Sequence, residues 1–178
     1  MLAKAGVDVI ALAPLVDEEI IKRTHDGDAP SLALRIAEAK ANSLDRPGDV
    51  VIGSDSTLTV DGCLFSKPVD RDDAARHLAH FSGKRMILSS AVALARDGVI
   101  EWRHVDQATL DVCILSATFI EAYLDAEWPE IAYCVGVFRM EGRGATLFAS
   151  VEGSHFTILG LPLLPLLGAL RERGLMAA

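Results

Sequence analysis

The sequence lacks the short glycine-framed motifs that mark several large classes of nucleotide-binding and hydrolytic enzymes. It contains no GxxxxGK[ST] segment, no GxGxxG segment after an apolar strand pattern, and no GxSxG segment. The first two absences exclude a P-loop NTPase and a dinucleotide-binding fold of the Rossmann type. The third excludes the nucleophile elbow of the α/β-hydrolases.

Cysteine is scarce and cannot build a disulfide framework. The chain has three cysteines, Cys63, Cys113 and Cys134, and none of them forms a CxxC pair. This odd number is typical of reduced thiols, so we expect a cytoplasmic protein. His77 and His80 lie close together in the sequence, but no further Cys or His pair completes a zinc set.

Long apolar runs are also missing. The stretch from Leu159 to Leu170 is strongly apolar, but it is too short to span a bilayer, and Pro162 and Pro165 interrupt it. The first residues carry Lys4 as their only basic side chain and are interrupted by an aspartate, unlike a secretory signal. We therefore expect no membrane partner.

Positive charge is in the minority, with 17 Lys and Arg against 25 Asp and Glu and a formal net charge of −8. A nucleic-acid polymer is not expected as a partner, because non-specific binding to it needs a positive surface. A small anionic ligand is compatible with this balance, since local lysines and a divalent cation reverse the field inside a cleft.

What the chain does contain is an apolar run, Val50–Ile52, that leads into Gly53, Ser54 and Asp55. The run predicts a buried strand, since it is rich in β-branched residues and too short for a helix. Gly53 and Ser54 have almost no side chain, so another group can approach the backbone there. Asp55 is then predicted at the end of the strand, where open α/β sheets often bind ligands.

A hairpin follows this strand. Asp61-Gly62 is a typical two-residue turn, and the hairpin predicts that Lys67 returns toward Asp55. An acid that holds a metal or a water and a lysine that holds a phosphate indicate phosphate-ester or anhydride chemistry. Taken alone, an aspartate at this position is more often structural.

Three further stretches have both a structural and a functional explanation. Val16–Glu19 is a source of carboxylates for a metal, or else a solvated loop or a helix start that favours negative charge. Lys40 holds a phosphate, or is a solvated lysine on an amphipathic helix. The glycine-framed stretch Met140–Gly144 lets a ligand approach the backbone, or is an ordinary turn.

The pattern along the chain predicts an α/β fold in one domain, 1–178. It predicts the end of a helix at Met1–Ala5, strands at Val7–Ala13, Asp49–Ser54, Arg85–Ala95, Val99–Cys113 and Ala145–Val151, and helices at Ser31–Leu44, 70–81, Thr118–Ala126 and from Pro162 to near Gly174.

Several pieces of the sequence, in order, resemble the Maf family of nucleoside triphosphate pyrophosphatases. They are Val16-Asp17-Glu18, Ala39-Lys40-Ala41, Ile52-Gly53-Ser54-Asp55, Asp61-Gly62 with Lys67-Pro68, Phe81-Ser82-Gly83, Glu141-Gly142-Arg143-Gly144 and Gly160-Leu161-Pro162. A domain without a site would have to treat these ordered matches as chance.

The resemblance implies a strongly twisted mixed β-sheet flanked by helices, with two lobes around a cleft, as in inosine triphosphate pyrophosphatases. It implies hydrolysis of a nucleoside triphosphate to the monophosphate and pyrophosphate with a divalent cation, Mg or Mn. Asp55 is then the proton acceptor, Glu18 and Asp55 hold the metal, and Lys40 and Lys67 hold phosphate. Such a site needs cations to offset phosphate charge and a base to orient water.

The form of the segment from Cys134 to Gly142 is similar to the subgroup that acts on 7-methyl-GTP. Most family members have a glutamine at Glu141 and a threonine at Ser56, and the resemblance makes both residues substrate-binding. A carboxylate at Glu141 accepts hydrogen bonds from the N1–H and exocyclic amine of guanine and favours the positive charge of its 7-methyl form. Ser56 departs from the glutamine usual in that subgroup, and Ser66 departs from the family's glycine before Lys-Pro.

The family begins with a Ser-x-Ser-Pro-Arg-Arg segment that this sequence does not show, so the resemblance implies an N-terminally truncated domain with weak activity or none. The alternative function is a nucleotide-binding or regulatory protein linked to septum formation, as the family has been. Intact Glu18, Asp55 and Lys67 favour the enzyme. The long predicted ribbon Arg85–Cys113 suggests a homodimer.

Overall fold

The structure is a computed structural model, and it describes residues 1–177. Within this range the α-helices are α1 Glu18–Thr24, α2 Ala29–Asn42, α3 Arg71–Phe81, α4 Ala117–Glu127, α5 His155–Ile158 and α6 Leu163–Glu172. The strands of the same residues are β1 Val50–Val60, β2 Cys63–Phe65, β3 Arg85–Arg96, β4 Val99–Val112 and β5 Phe148–Glu152. Two 3-10 helices cover Ala3–Ala5 and Arg143–Leu147.

The strands form one sheet in the order β2-β1-β3-β4-β5, which with the helices confirms the α/β class. β1 pairs with β2 and β4 pairs with β5, both antiparallel. β3 and β4 are neighbours joined by the two-residue turn Asp97-Gly98, a connection that only antiparallel strands allow. In the described part of the chain, no helix is long and apolar enough to cross a membrane.

The chain divides into two compact units. The first consists of residues 1–56, 90–106 and 160–178, and the second of residues 57–89 and 107–159. The first unit contains a cluster of buried alanines: Ala33, Ala37 and Ala41 of α2 with Ala91, Ala93 and Ala95 of β3. The second unit has a core of larger side chains, among them Phe81, Met86, Leu110, Leu124 and Ile131.

Most predicted helices are confirmed, because capping residues mark their ends. The carboxylate of Asp70 accepts a hydrogen bond from the backbone of Asp73 at the start of α3, and the hydroxyl of Ser116 accepts one from Phe119 at the start of α4. The hairpin turn at Asp61-Gly62 is confirmed as well, with Leu58 opposite Phe65.

The strand predicted at Val7–Ala13 is wrong. These described residues belong to no strand and to no helix. Val7 is buried, but Ile10 and Leu12 are 77% and 50% exposed. An alternating pattern forms a strand only when a neighbour supplies the ladder hydrogen bonds.

Two predicted strand bounds are also wrong. β1 does not end at Ser54 but continues to Val60, so Asp55 lies in the middle of a strand rather than at its end. The strand predicted from Ala145 begins only at Phe148, because residues 143–147 form a 3-10 helix. Gly144 in that helix is packed against the backbone of Arg139, which holds the chain in a turn.

Candidate functional site

A lysine bridges two carboxylates in the first unit. Lys40 Nζ lies 2.7 Å from Asp55 Oδ1 and 2.8 Å from Glu18 Oε1. The exposed fractions of these side chains are 17% for Lys40, 14% for Asp55 and 33% for Glu18. The structure therefore brings together three of the site residues predicted from the sequence, and they form a half-buried charged cluster.

Each member of the cluster comes from a different element. Lys40 lies in the last turn of α2, and Asp55 lies in β1. Glu18 is the first residue of α1. Asp17 is the N-cap of this helix, and Asp17 Oδ1 accepts a hydrogen bond from the backbone N–H of Ile20 at 3.1 Å. The acidic stretch is thus both a helix start and a carboxylate source, since Asp17 caps the helix and Glu18 reaches Lys40.

Gly53 lets α2 approach β1 closely. A Cβ built on Gly53 would collide with the backbone O of Ala37 and the backbone N of Ala41 and would lie 3.0 Å from Ala41 Cα. The close approach predicted at this glycine is confirmed, and the approaching group is the helix backbone. Lys40 belongs to the same turn of α2, so this contact fixes where its ammonium meets Asp55.

The surroundings of Lys40 favour its charged form. Burial alone would lower the pKa of Lys40, but the hydrogen bonds and charges of Asp55 and Glu18 outweigh it and raise the pKa above the ordinary 10.5. The ammonium is therefore present at neutral pH, where it holds the two carboxylates in one place.

This shift predicts how the stability contribution of Lys40 depends on pH. A pKa that is higher in the folded state means that the ion pairs stabilise fully below about 10.5 and are lost as the pH rises through the folded pKa. We expect Lys40→Met to lower the free energy of unfolding by about 1–3 kcal/mol at pH 8, since it leaves two half-buried carboxylates without their cation. Urea unfolding of the wild type and Lys40→Met between pH 8 and 11.5 should show that the difference in the free energy of unfolding shrinks above a pH of about 10.5. A difference that widens over this range would contradict the prediction.

Ser56 follows Asp55 along β1, and its hydroxyl lies 2.8 Å from that of Ser90 on β3. A Cβ on Gly160 would come within 3.4 Å of the same hydroxyl oxygen. The space beside Ser56 is therefore narrow. Ser90, which is fully buried, was not predicted, because nothing in its apolar strand pattern marks it as a polar partner.

The second unit contains the other two predicted residues. Lys67 and Glu141 are both exposed, and the charge of each shifts the pKa of the Cys134 thiol. Burial raises the pKa of that thiol most strongly; Arg139 lowers it, Glu141 raises it and Lys67 lowers it. Lys67, Cys134 and Glu141 therefore share one neighbourhood within this unit.

Comparison with known proteins shows the family to which this chain belongs. The family described as Maf-like protein matches residues 1–173. The chain belongs to the Maf family.

Individual Maf relatives match along almost the whole chain. A protein of Nitrobacter hamburgensis named nucleoside triphosphate pyrophosphatase is 44% identical over 99% of this chain and 89% of its own length. Proteins of Mesorhizobium japonicum and Rhizobium meliloti, both named 7-methyl-GTP pyrophosphatase, are 42% and 39% identical and cover 98% and 100% of this chain and 90% and 92% of their own lengths. The resemblance to the Maf family is thereby confirmed.

The two carboxylates of the charged cluster, those of Glu18 and Asp55, fit a hard divalent cation. Mg²⁺ is usually held by one or two carboxylates, waters and substrate phosphates rather than by a complete protein cage. Glu18 and Asp55 supply two such carboxylates, which already share one cation, the Lys40 ammonium. Within residues 1–177, no group of three or more His, Cys, Asp and Glu side chains gathers at metal-binding distances, so a protein-only metal cage is not built.

Proposed function

We propose that this chain hydrolyses a nucleoside triphosphate to the monophosphate and pyrophosphate. The observation that carries the proposal is the cluster of Glu18, Lys40 and Asp55, in which a half-buried carboxylate is held by an ammonium only 2.7 Å away. The names of the Maf relatives support the same reaction.

The reaction needs a base for the attacking water. Water attacks the α-phosphorus, the bond from this phosphorus to the bridging oxygen breaks, and pyrophosphate leaves with that oxygen. The proton of the water goes to the carboxylate of Asp55. A positioned base of this kind contributes roughly 10²–10⁴-fold to the rate.

The phosphates also bring negative charge that the site must offset. We assign this role to Lys40 and to Lys67, since an ammonium acts as a point charge toward phosphate oxygens. Glu18 and Asp55 would hold Mg or Mn, and such a cation supplies further offset of the phosphate charge. Glu18 in addition keeps Lys40 in position through its 2.8 Å contact.

We assign base recognition to Glu141, with Ser56 as a second substrate-binding residue and 7-methyl-GTP as the preferred nucleotide. Glu141 is exposed, so its carboxylate is accessible to a ligand. A carboxylate accepts hydrogen bonds from the N1–H and exocyclic amine of guanine, whereas thymine and uracil offer no such donor pair. The positive charge of a 7-methylated guanine adds an attraction that neutral bases lack.

The test is pyrophosphate release from 7-methyl-GTP, GTP, dTTP, UTP and CTP with Mg or Mn, for the wild type and for Glu141→Gln. We expect 7-methyl-GTP to give the highest kcat/KM in the wild type. In Glu141→Gln the preference for 7-methyl-GTP over UTP should fall about tenfold, because hydrogen bonds to a charged acceptor are roughly twice as strong as neutral ones.

Equal turnover of dTTP and 7-methyl-GTP by the wild type would remove the base assignment but leave the pyrophosphatase. A matched control is Glu152→Gln, which neutralises another exposed glutamate of the same unit on β5. No pyrophosphate from any nucleotide, with the fold intact, would favour a nucleotide-binding protein instead.

A further inference from the structure

The turn that carries Glu141 is held by the last turns of α4. Tyr123 and Glu127 lie four residues apart on this helix and therefore on one face of it. The Tyr123 hydroxyl donates a buried hydrogen bond to the backbone O of Val137 at 3.0 Å. Glu127 Oε2 accepts a hydrogen bond from Arg139 Nη2 at 3.1 Å.

The second of these contacts is a part-buried ion pair with a buried carboxylate. The side chain of Glu127 is only 8% exposed, and that of Arg139 is 36% exposed. Glu130 adds a looser contact, 3.6 Å from Arg139 Nη1. A buried carboxylate that lost this cation would be left without compensation for its desolvation, so the pair holds Arg139 firmly.

Arg139 in turn fixes the backbone on both sides of Glu141. Its carbonyl accepts a hydrogen bond from the N–H of Gly142 at 3.1 Å. A Cβ on Gly144 would collide with that carbonyl oxygen and lie 2.7 Å from Arg139 N, and a Cβ on Gly142 would lie 3.4 Å from Glu127 Oε2. The chain from 139 to 144 is thus folded back on Arg139, with no room for a side chain at Gly144 and with Gly142 in van der Waals range of the Glu127 carboxylate.

The backbone before Arg139 is strained. Val137 has φ = 57°, a left-handed conformation that is unfavourable for a β-branched residue. Such conformations persist where the surroundings over-determine them, and they concentrate at functional sites. Here the Tyr123 hydrogen bond and the Arg139 ion pair supply that constraint on either side of the buried Phe138.

We propose that the Glu127–Arg139 ion pair is a positioning element that sets the orientation of Glu141 and thereby the discrimination between bases. This inference rests on the proposed function, because it needs Glu141 to contact the base. Neither Glu127 nor Arg139 touches the substrate; each acts through the turn. A displacement of about 1 Å at a substrate-positioning group can cost on the order of 10²-fold.

The test compares the ratio of kcat/KM for 7-methyl-GTP to that for UTP. We expect Arg139→Met and Glu127→Gln each to reduce this ratio about tenfold or more, and Arg139→Lys, which keeps the cation, to retain most of it. When Arg139→Met is added to Glu141→Gln, the ratio should change by less than about twofold, because residues that act as a unit are not additive.

Two measurements separate positioning from general destabilisation. Hydrogen exchange of the Gly142 and Ala145 amides should become faster in Arg139→Met, since both belong to the turn. The matched control is Arg71→Met, which removes ion pairs to Glu121 and Asp125 on the same helix α4 but not the one to the turn. We expect it to leave the ratio unchanged.

An unchanged ratio in folded Arg139→Met and Glu127→Gln would overturn the inference, as would an additive effect with Glu141→Gln. If Arg139→Met does not unfold cooperatively, the isosteric Glu127→Gln and Arg139→Lys decide the outcome. A wild type that releases pyrophosphate from no nucleotide overturns the proposed function and this inference with it, and is distinct from an active wild type whose ratio the variants leave unchanged.

Discussion

Asp55→Asn is expected to reduce kcat/KM for pyrophosphate release about 10²–10⁴-fold. Asparagine has nearly the same shape as aspartate, so its side chain still fits beside Lys40. A neutral amide, however, cannot take the proton of the attacking water. Lys40 keeps its second carboxylate, Glu18 at 2.8 Å, and the cluster therefore does not lose its whole negative charge. The loss should appear in kcat with every nucleotide that the wild type hydrolyses.

The control for this variant is Asp49→Asn, immediately before the same strand. Asp49 also pairs with a cation, Arg46 at 3.0 Å, but its side chain is 57% exposed and lies in solvent. Exposed ion pairs contribute little to stability. Asp49 also lies outside the charged cluster, so we expect the kcat/KM of Asp49→Asn to stay within about twofold of the wild-type value. Thermal unfolding of both variants shows that the fold is intact. A residual rate above roughly one tenth of the wild type in Asp55→Asn would assign the base role to another group.

Much of this architecture follows from local sequence signals. Asp70 and Ser116 mark helix starts because a side-chain acceptor satisfies an N–H that the helix leaves free. The Asp61-Gly62 and Asp97-Gly98 turns adopt the positive φ angles that two-residue hairpins require. These features depend on a few neighbouring residues, and the sequence contains them all.

Features that depend on distant neighbours were harder to predict. Residues 7–13 alternate like a strand, but no described strand pairs with them. The bridge between Glu18, Lys40 and Asp55 joins three elements, and each residue taken separately was as well explained by solvation or capping. The ion pair between Glu127 and Arg139 gave no sequence signal at all, because charged residues on a helix and in a turn are usually solvated.

Gly53→Ala is expected to damage both stability and activity, although the change adds a single methyl group. The new Cβ would meet backbone atoms of Ala37 and Ala41, which cannot rotate away as a side chain would. Overpacking of this kind costs about 1–3 kcal/mol, which urea unfolding measures directly. Because relief requires α2 to move away from β1, Lys40 should shift relative to Asp55, and kcat/KM should fall by up to about 10²-fold.

Gly168→Ala is the matched control, since Gly168 lies inside α6 in the same unit and has no heavy atom within 4 Å of a built Cβ. We expect this variant to stabilise the protein by roughly 0.5–1 kcal/mol, because alanine restricts the unfolded chain and favours the helix. Its rate should not change. If Gly53→Ala lost stability while keeping its full rate, the contact between α2 and β1 would support the fold without setting the distance from Lys40 to Asp55. A parallel loss of both would show that one close backbone approach determines the geometry of the charged cluster.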